Sequence, residues 1–355
     1  MKIGIDCRLI NETGVGRYLR NLVEELLKQD TKNTYVLFGN KEQLPQNKNV
    51  KIINTDIKWH TLKEQIIFPW IIWKEKCDLI HFPYFSVPIF YPGRFVVTIH
   101  DLIINHFDTG RASTKNWLVY KFKRWFYLIT IWIAAHRAER VITVSNTTKE
   151  EIKKHLHINS ERVDVTYEGI SKISNIKNIF NNKYFLYVGN AYPHKNLEKL
   201  CEAFNKLQIQ NSKLLFVGKQ DFFYERLKNY VKTRKIQNVI FYGEAKDQEL
   251  IWLYSQAIAL IHPSLMEGFG LTIVEAMVNN CLVCCSDIPS LREITGGYVV
   301  FFNPLDVVSI SKSIKEATIK NFTEQKEKAK NFVQRYSWQK MAKETLKIYE
   351  NCLSL

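Results

Sequence analysis

Short apolar runs and amphipathic segments follow one another along the first half of the chain. The runs "KIGID", "TYVLFG", "DLIHF", "RFVVTIH" and "RVITVS" are rich in β-branched and aromatic residues, which is typical of buried strands. After the first run, residues 13–30 place apolar side chains three and four positions apart, as an amphipathic helix does. This alternation predicts a parallel β-sheet with helices on both faces.

The same pattern starts again after a polar, asparagine-rich segment at residues 171–183, which we interpret as an interdomain linker. The runs "YFLYVG", "KLLFVG", "VIFYG", "AIALIH" and "CLVCCS" predict further strands, and residues 336–353 predict a closing helix. A length of 355 residues suits two domains, each with its own core. We therefore predict a doubly wound α/β protein with domains at residues 1–175 and 176–335 and a terminal helix at 336–355.

The chain is strongly basic, with 50 Lys and Arg against 35 Asp and Glu, a net charge of +15. This balance favours an anionic partner, which leaves nucleic acid, a phospholipid surface and phosphorylated substrates open. The seven cysteines lack a disulfide framework spacing and no secretory leader precedes the first strand, so we expect a reducing cytoplasm. Cys281, Cys284 and Cys285 lie in an apolar run without a second ligand pair, which favours a buried strand over a zinc site.

Ligands of doubly wound sheets bind beyond the carboxyl ends of the strands, and four such loops carry unusual residues. In the first, Gly14 and Gly16 precede a helix whose free amides favour a phosphate, although a tight turn without a ligand is the alternative. The third glycine of a dinucleotide fingerprint would fall at Leu19, and no acid ends the second strand. This loop therefore does not indicate a dinucleotide cofactor.

The next two loops carry a histidine and a lysine. His100 ends a strand, where it can polarise a sugar hydroxyl or a phosphate oxygen, with Asp101 fixing its orientation; a satisfied core histidine is the alternative. Lys195 precedes a helix that begins near Asn196, so its charge and the helix dipole point at one anion. A solvated lysine is the alternative there.

The fourth loop lies in "HPSLMEGFGLTIVEAM", residues 262–277, where Glu267 and Glu275 flank the tripeptide Gly268, Phe269 and Gly270. The glycines allow close backbone approach, and a helix that starts near Leu271 aims its amides at the ligand. The two acids can then hold two parts of one polyhydroxylated ligand whose phosphates rest between them. Asn280, at the end of this helix, is a candidate left-handed cap.

The spacing of Glu267 and Glu275, preceded by "HPS" and enclosing "GFG", resembles the retaining glycosyltransferases of sequence family four. The likeness extends over nearly the whole chain, through "IGIDCRLINETGVGRYLRNLVEEL", "TIHDL", "RVITVSNTTKEEI", "YVGNAYPHKNLEKLCEAF" and "SWQKMA". The first block and "PHKNL" look most like bacterial mannosyltransferase-type members that build O-antigen or related polysaccharides. The resemblance implies the GT-B fold, two facing Rossmann-like domains with a C-terminal helix that crosses back to the first domain.

The resemblance also implies roles for the loop residues. The first domain would bind the acceptor and the second the nucleotide sugar, with the loop of Gly268, Phe269, Gly270 and Leu271 at the donor. Glu275 would hydrogen-bond the donor ribose, Glu267 would contact sugar hydroxyls and Lys195 would neutralise the diphosphate. Gly14 and Gly16 would approach the same phosphates, with His100 beside the transferred sugar.

The chain departs from the family pattern at Asn190, where many relatives carry an arginine that forms a second cation on the diphosphate. Arg17 and Lys219 are the candidate replacements. GDP-mannose leads as donor, followed by UDP-hexoses and UDP-N-acetylhexosamines, and the acceptor is expected to be a growing, lipid-linked glycan. A sugar-nucleotide epimerase of similar architecture is an alternative.

The resemblance implies a retaining reaction. We expect it to need no metal ion and no cofactor besides the donor, because no D-x-D pair ends a strand and basic loops can stabilise the leaving diphosphate. A non-catalytic nucleic-acid-binding protein is a remote alternative, since the sequence has neither a glycine-aromatic RNA motif nor zinc-finger spacing.

Residues 115–137 combine basic residues with aromatic ones: Lys115, Lys121, Lys123, Arg124, Trp117, Phe122, Trp125, Phe126 and Trp132. The uncharged run from 125 to 135 is shorter than the roughly 20 residues that span a bilayer. We expect a peripheral helix on anionic lipid at the inner face of the cytoplasmic membrane. A buried helix with a basic outer face is the alternative, and "WIIWKEK" at residues 70–76 leaves the same choice open.

Overall fold

The computed structural model describes residues 1–107, 117–170, 183–209 and 212–354, without the side chains of 117–120, 122 and 123. Lys115 and the side chains of Trp117, Phe122 and Lys123 therefore lie outside the described residues. The chain divides into two compact units. The first comprises Met1–Asn105, Lys115–Gly169 and Tyr336–Leu355, and the second comprises His106–Thr114 and Ile170–Arg335.

The first unit is built on a seven-stranded parallel sheet in the order β3-β2-β1-β4-β5-β6-β7. Its strands are β1 (Lys2–Asp6), β2 (Thr34–Gly39), β3 (Val50–Asn54), β4 (Leu79–Phe82), β5 (Phe95–Ile99), β6 (Arg140–Thr143) and β7 (Val163–Val165). The helices of this part of the chain are α1 (Gly14–Gln29), α2 (Leu62–Lys74), α3 (Ile103–His106), α4 (Trp117–Arg137) and α5 (Asn146–Leu156). The central strands β4 and β5 are buried along their whole length because helices cover both of their faces.

The second unit repeats this plan with a six-stranded parallel sheet in the order β10-β9-β8-β11-β12-β13. Its strands are β8 (Lys183–Val188), β9 (Ser212–Val217), β10 (Val239–Gly243), β11 (Ala259–His262), β12 (Val283–Ser286) and β13 (Val300–Phe302). Its helices are α6 (Leu197–Leu207), α7 (Phe222–Thr233), α8 (Asp247–Gln256), α9 (Leu271–Val278), α10 (Pro289–Thr295), α11 (Val307–Ile319) and α12 (Thr323–Val333). Cys284 and Cys285 lie on β12, so the predicted buried strand is confirmed there.

The terminal helix α13 (Trp338–Leu353) belongs to the first unit, as the sequence predicts. It packs against α1, where Gln29 donates a hydrogen bond to the carbonyl of Gln339 at 3.1 Å. The buried Tyr349 hydroxyl of α13 lies 2.6 Å from His81 Nδ1 on β4, and His81 Nε2 lies 2.7 Å from the Thr98 hydroxyl on β5. These contacts join the last helix of the chain to the middle of the first sheet. Within the described residues, no helix is long and apolar enough to cross a membrane.

Candidate active site

The loop before α9 depends on a glycine. Gly270 is the N-terminal cap of α9 with φ of +92°, a left-handed conformation that disfavours other residues. A Cβ there would also lie 3.1 Å from a methyl carbon of Leu291. The Gly270 carbonyl accepts hydrogen bonds from the amides of Ile273 and Val274. The helix therefore begins at the residue after Gly270, at Leu271 as predicted.

Lys195 and Glu267 form a buried ion pair in the second unit. Lys195 Nζ lies 2.6 Å from Glu267 Oε1, and the two side chains are 14% and 9% exposed. His262, the last residue of β11, places Nε2 at 2.7 Å from the same carboxylate oxygen and at 3.0 Å from the Ser264 hydroxyl. Burial opposes ionisation of Glu267, but Lys195 and His262 outweigh it and hold the pKa of this carboxyl well below its usual range.

Backbone contacts hold the two loops of this ion pair together. The Leu265 amide donates to the carbonyl of His194 at 2.8 Å, and the Asn196 side chain donates to the carbonyl of Pro263 at 3.2 Å. Asn196 itself is left-handed, with φ of +60°, and separates the short helical turn of Lys195 from α6. Lys195 therefore lies in a separate helical turn, two residues before α6, and its ammonium is bonded to Glu267.

Burial and the neighbouring ammonium keep His194 neutral. Burial and then the charge of Lys195 lower the pKa of His194 from 6.5 to about 3. His194 therefore adds no positive charge to this loop near neutral pH.

Glu275 lies on α9, half-buried, one turn after Leu271. The Tyr254 hydroxyl on α8 donates a hydrogen bond to Glu275 Oε2 at 3.2 Å. Gly268 and Phe269 are buried in the loop before this helix. The assignment of Gly268, Phe269, Gly270, Leu271 and Glu275 to the donor stays a prediction.

The two predicted glycines of the first unit have different surroundings. A Cβ on Gly16 would lie 2.6 Å from the carbonyl oxygen of Ile10, so a larger residue would collide with the backbone. Gly14 is exposed, and a Cβ there would meet no atom within 4 Å. Gly16 therefore has a packing reason of its own, whereas Gly14 is open to a ligand. Arg17 lies between Gly16 and the buried Tyr18, and its role as a second phosphate cation stays a prediction.

His100 is held by partners at both ring nitrogens. Nδ1 lies 3.3 Å from Glu168 Oε1, and Nε2 lies 3.0 Å from the carbonyl oxygen of Pro83. The Tyr18 ring packs edge-on against the imidazole at 4.8 Å. Both ring nitrogens of His100 thus face acceptor oxygens, and its place beside the transferred sugar stays a prediction.

Asp101 makes a local contact. Its Oδ1 accepts a hydrogen bond from the Ile103 amide at 3.0 Å, at the start of α3. The carboxylate that faces His100 Nδ1 is Glu168, and the predicted role of Asp101 in orienting His100 stays a prediction.

Asn190 and Lys219 follow β8 and β9, neighbouring strands of the second sheet. The Asn190 side chain accepts a hydrogen bond from the Tyr192 amide at 3.4 Å, and Lys219 is exposed. Parallel strands end at one edge of the sheet, so Lys219 lies at the same edge as the Lys195 loop. Its role in phosphate binding stays a prediction.

Three residues that contact the predicted ones are not predicted by the sequence: His262, Tyr254 and Glu168. His262 carries the same signal as His100, a histidine at the end of a buried strand, but the sequence marks it only through the HPS motif. Tyr254 lies on a helix and Glu168 in a short loop after β7, where neither a period nor a motif marks them.

The sequence matches the family described as glycosyl transferases group 1 over residues 170–347, half of the chain. Residues 13–172 match the family described as Glycosyltransferase Family 4. The chain belongs to the group 1 glycosyltransferases. Its two parallel-sheet, Rossmann-like units confirm the predicted GT-B fold class, and the family match confirms the prediction of a glycosyltransferase.

This glycosyltransferase is 31% identical over 216 residues to the Salmonella typhimurium O-antigen chain mannosyltransferase RfbU. The aligned part covers 61% of this chain and 61% of that relative. It is also 25% identical over 374 residues to the Escherichia coli O-antigen chain mannosyltransferase B, covering 95% and 96% of the two chains. Among solved structures it is similar to Anabaena HepE in complex with UDP and glucose, with a TM-score of 0.76, 16% identity and coverage of 99% and 100%.

Proposed function

We propose that this glycosyltransferase moves mannose from GDP-mannose to a growing, lipid-linked glycan in O-antigen or related cell-surface polysaccharide synthesis. The observation that carries the proposal is the buried cluster of Lys195, Glu267 and His262 beside the start of α9. A cation and helix amides suit a diphosphate, and a carboxylate suits sugar hydroxyls. The sugar is inferred from the two relatives named as O-antigen chain mannosyltransferases.

In the proposed mechanism the residues of this chain stabilise the leaving group. The nucleoside diphosphate gains negative charge as the glycosidic bond breaks, so Lys195 and the first amides of α9 stabilise the transition state more than the ground state. Glu275 holds the ribose and Glu267 the sugar hydroxyls, while His100 lies beside the transferred sugar. The phosphates of the donor also contact Gly14, Gly16, Arg17 and Lys219 in this mechanism.

The reaction is proposed to retain anomeric configuration and to need no metal ion. The acceptor hydroxyl attacks from the face that the diphosphate leaves, and the leaving oxygen takes the proton. Lys195, with Arg17 or Lys219, supplies the positive charge that a divalent ion supplies in other transferases.

A UDP-sugar donor is the second candidate. It is supported by the similarity to a structure solved with UDP and glucose. Likeness at 16% identity concerns the fold, so the choice between GDP and UDP is left to experiment.

The proposed location is the cytoplasm, with peripheral contact between the inner membrane face and residues 115–137. All seven cysteines are unpaired, as in a reducing compartment. The outer face of α4 exposes Trp125, Leu128 and Trp132, while Tyr127 and Ile131 face the core. This helix therefore presents aromatic side chains as well as charges to its surroundings.

A thermal-shift panel of nucleotides and sugar nucleotides, followed by transfer of labelled sugar to polyprenyl-linked saccharides, tests the function. We expect GDP-mannose to stabilise the protein most, transfer to persist with EDTA, and NMR to show an unchanged anomeric configuration. Stabilisation only by UDP-sugars would move the assignment to the second candidate. Conversion of donor without acceptor, to an epimer, would refute transfer.

A further inference from the structure

The solvent-facing side of α2 is apolar. Five large side chains of this helix are between 42% and 78% exposed: Leu62, Ile66, Ile67, Trp70 and Trp73. Because residues follow one another by about 100° around a helix, Leu62, Ile66, Trp70 and Trp73 share an arc of about 80°. An amphipathic helix of a globular protein carries polar residues on that side.

The other side of α2 packs into the core of the first unit and is buried there. Glu64 is fully buried and lies 2.7 Å from an Arg8 nitrogen, which also lies 2.7 Å from Asp6. Phe68 and Ile72 are buried in the core beside it. The core contacts of α2 are thus complete without its outer apolar side chains, which remain exposed in the folded chain.

A neighbouring loop extends this apolar surface. The Ile89 amide donates to the Gln65 side chain of α2 at 2.8 Å, and the Ile89 carbonyl accepts from Arg137 of α4 at 2.6 Å. Phe90, the next residue, is 69% exposed. Phe90 therefore lies between α2 and the end of α4.

The charges on this surface are positive. Lys63 and Lys74 are the only charged residues that α2 exposes, and Lys74 Nζ lies 3.3 Å from the centre of the Trp70 ring. The acid that follows the helix, Glu75, contacts Lys2 and Lys51. Tryptophan rings and lysines around an aliphatic centre match the interface of an anionic bilayer, where the rings sit at headgroup depth.

We propose that the outer side of α2, together with Phe90, inserts into the headgroup layer of an anionic membrane. The side chains of this surface lie outside residues 115–137, although Phe90 adjoins the end of α4, and the inference does not depend on the donor or on the reaction. Lipid is favoured over a protein partner because the surface combines apolar area with positive charge and exposes no acid on α2.

Flotation of the full chain with vesicles of phosphatidylcholine and phosphatidylglycerol tests the proposal. The variant Ile66→Ser/Trp70→Ser should lower the partition coefficient about tenfold or more, since two exposed anchors are lost. The control Leu305→Ser/Ile319→Ser removes equally exposed apolar side chains from the second unit and should bind as the wild type does. Equal binding by both variants would overturn the proposal.

Two further measurements keep the result interpretable. Lys63→Gln/Lys74→Gln should weaken binding to vesicles with phosphatidylglycerol and leave binding to pure phosphatidylcholine unchanged. Brominated phosphatidylcholine should quench the tryptophan fluorescence of the wild type, and it should quench that of Trp73→Gln less strongly. This single variant is a milder test for the case that the double variant melts early. Sedimentation that shows a dimer broken by the α2 variants, without vesicle binding, would assign the surface to self-association and refute the lipid proposal.

Discussion

If Lys195 binds the diphosphate as proposed, its ion pair with Glu267 makes nucleotide binding a competition that can be measured. Opposite charges 2.6 Å apart attract by about 6 kcal/mol at an effective dielectric constant of about 20. Desolvation offsets much of this, and removal of one partner of a buried pair costs about 3–5 kcal/mol of stability. Because His262 remains beside Glu267, we expect Lys195→Met to lower the free energy of unfolding by about 3 kcal/mol, the lower end of that range.

The effect on binding separates the two roles. If Lys195 contacts the diphosphate, Lys195→Met removes a charge-assisted hydrogen bond to GDP. The binding free energy should then weaken by about 1.5–3 kcal/mol, which is a loss of affinity of roughly 10- to 150-fold. Glu267→Gln releases the ammonium of Lys195, so GDP should bind at least as tightly as to the wild type. The same variant should bind GDP-mannose more weakly than the wild type, because the carboxylate that meets the sugar is lost.

Isothermal titration calorimetry with GDP, UDP and GDP-mannose provides the affinities, and urea unfolding provides the stabilities. Lys199→Met is a matched control, because its Nζ bonds to the carbonyl of Leu305 at 2.7 Å and its loss leaves the ion pair intact. Equal GDP affinity of Lys195→Met and Lys199→Met would remove Lys195 from the site. A parallel loss of GDP affinity in Glu267→Gln would refute the competition.

Three further experiments test separate parts of the molecule. Glu275→Gln should weaken donor binding by roughly 1.5–3 kcal/mol in calorimetry while the melting temperature holds, and unchanged affinity would remove Glu275 from the site. His100→Ala should lower kcat more than it raises KM, and Glu168→Gln should lower kcat by a smaller factor. If the two losses of activation free energy add in the double variant, Glu168 acts independently of His100. Burial lowers the pKa of His81 from 6.5 to about 3, so the unfolded chain binds the extra proton between these values and stability falls as pH drops below about 6.5. In urea unfolding, the slope of stability against pH between about pH 6 and pH 4 should therefore be smaller by about 1.4 kcal/mol per pH unit in His81→Asn than in the wild type.

The fold was predictable because its signals are local and repeated. Strand runs such as that of β8 and the helical spacing of α1 give the element order, and the right-handed crossover rule turns that order into parallel sheets. Asn280 shows that the sequence also predicted the end of a helix. Its φ is +59°, the Cys281 amide donates to the carbonyl of Ala276, and the Asn280 amide donates to the carbonyl of Met277. The helix thus ends in the left-handed cap that its sequence indicates.

The site was less predictable because its contacts join distant parts of the chain. Lys195 and Glu267 were each expected near the ligand, yet their direct bond depends on how the loop after β8 meets the loop after β11. The partner of His100 illustrates the same limit, since Glu168 follows a different strand. Single residues at strand ends mark where a site lies, whereas the pairing of those residues is set by three-dimensional packing.

The ion pair also bears on how the proposed reaction would turn over. A sugar nucleotide offers a diphosphate to Lys195 and hydroxyl donors to Glu267, so both members of the pair exchange one partner for another. A nucleoside diphosphate offers only the first exchange and leaves a buried carboxylate with one partner fewer, which costs free energy. Once the sugar has been transferred, Glu267 therefore competes with the diphosphate for the ammonium of Lys195. The pair would favour the donor over the spent nucleotide and promote product release, and Glu267→Gln should accordingly make the transferase more sensitive to inhibition by GDP.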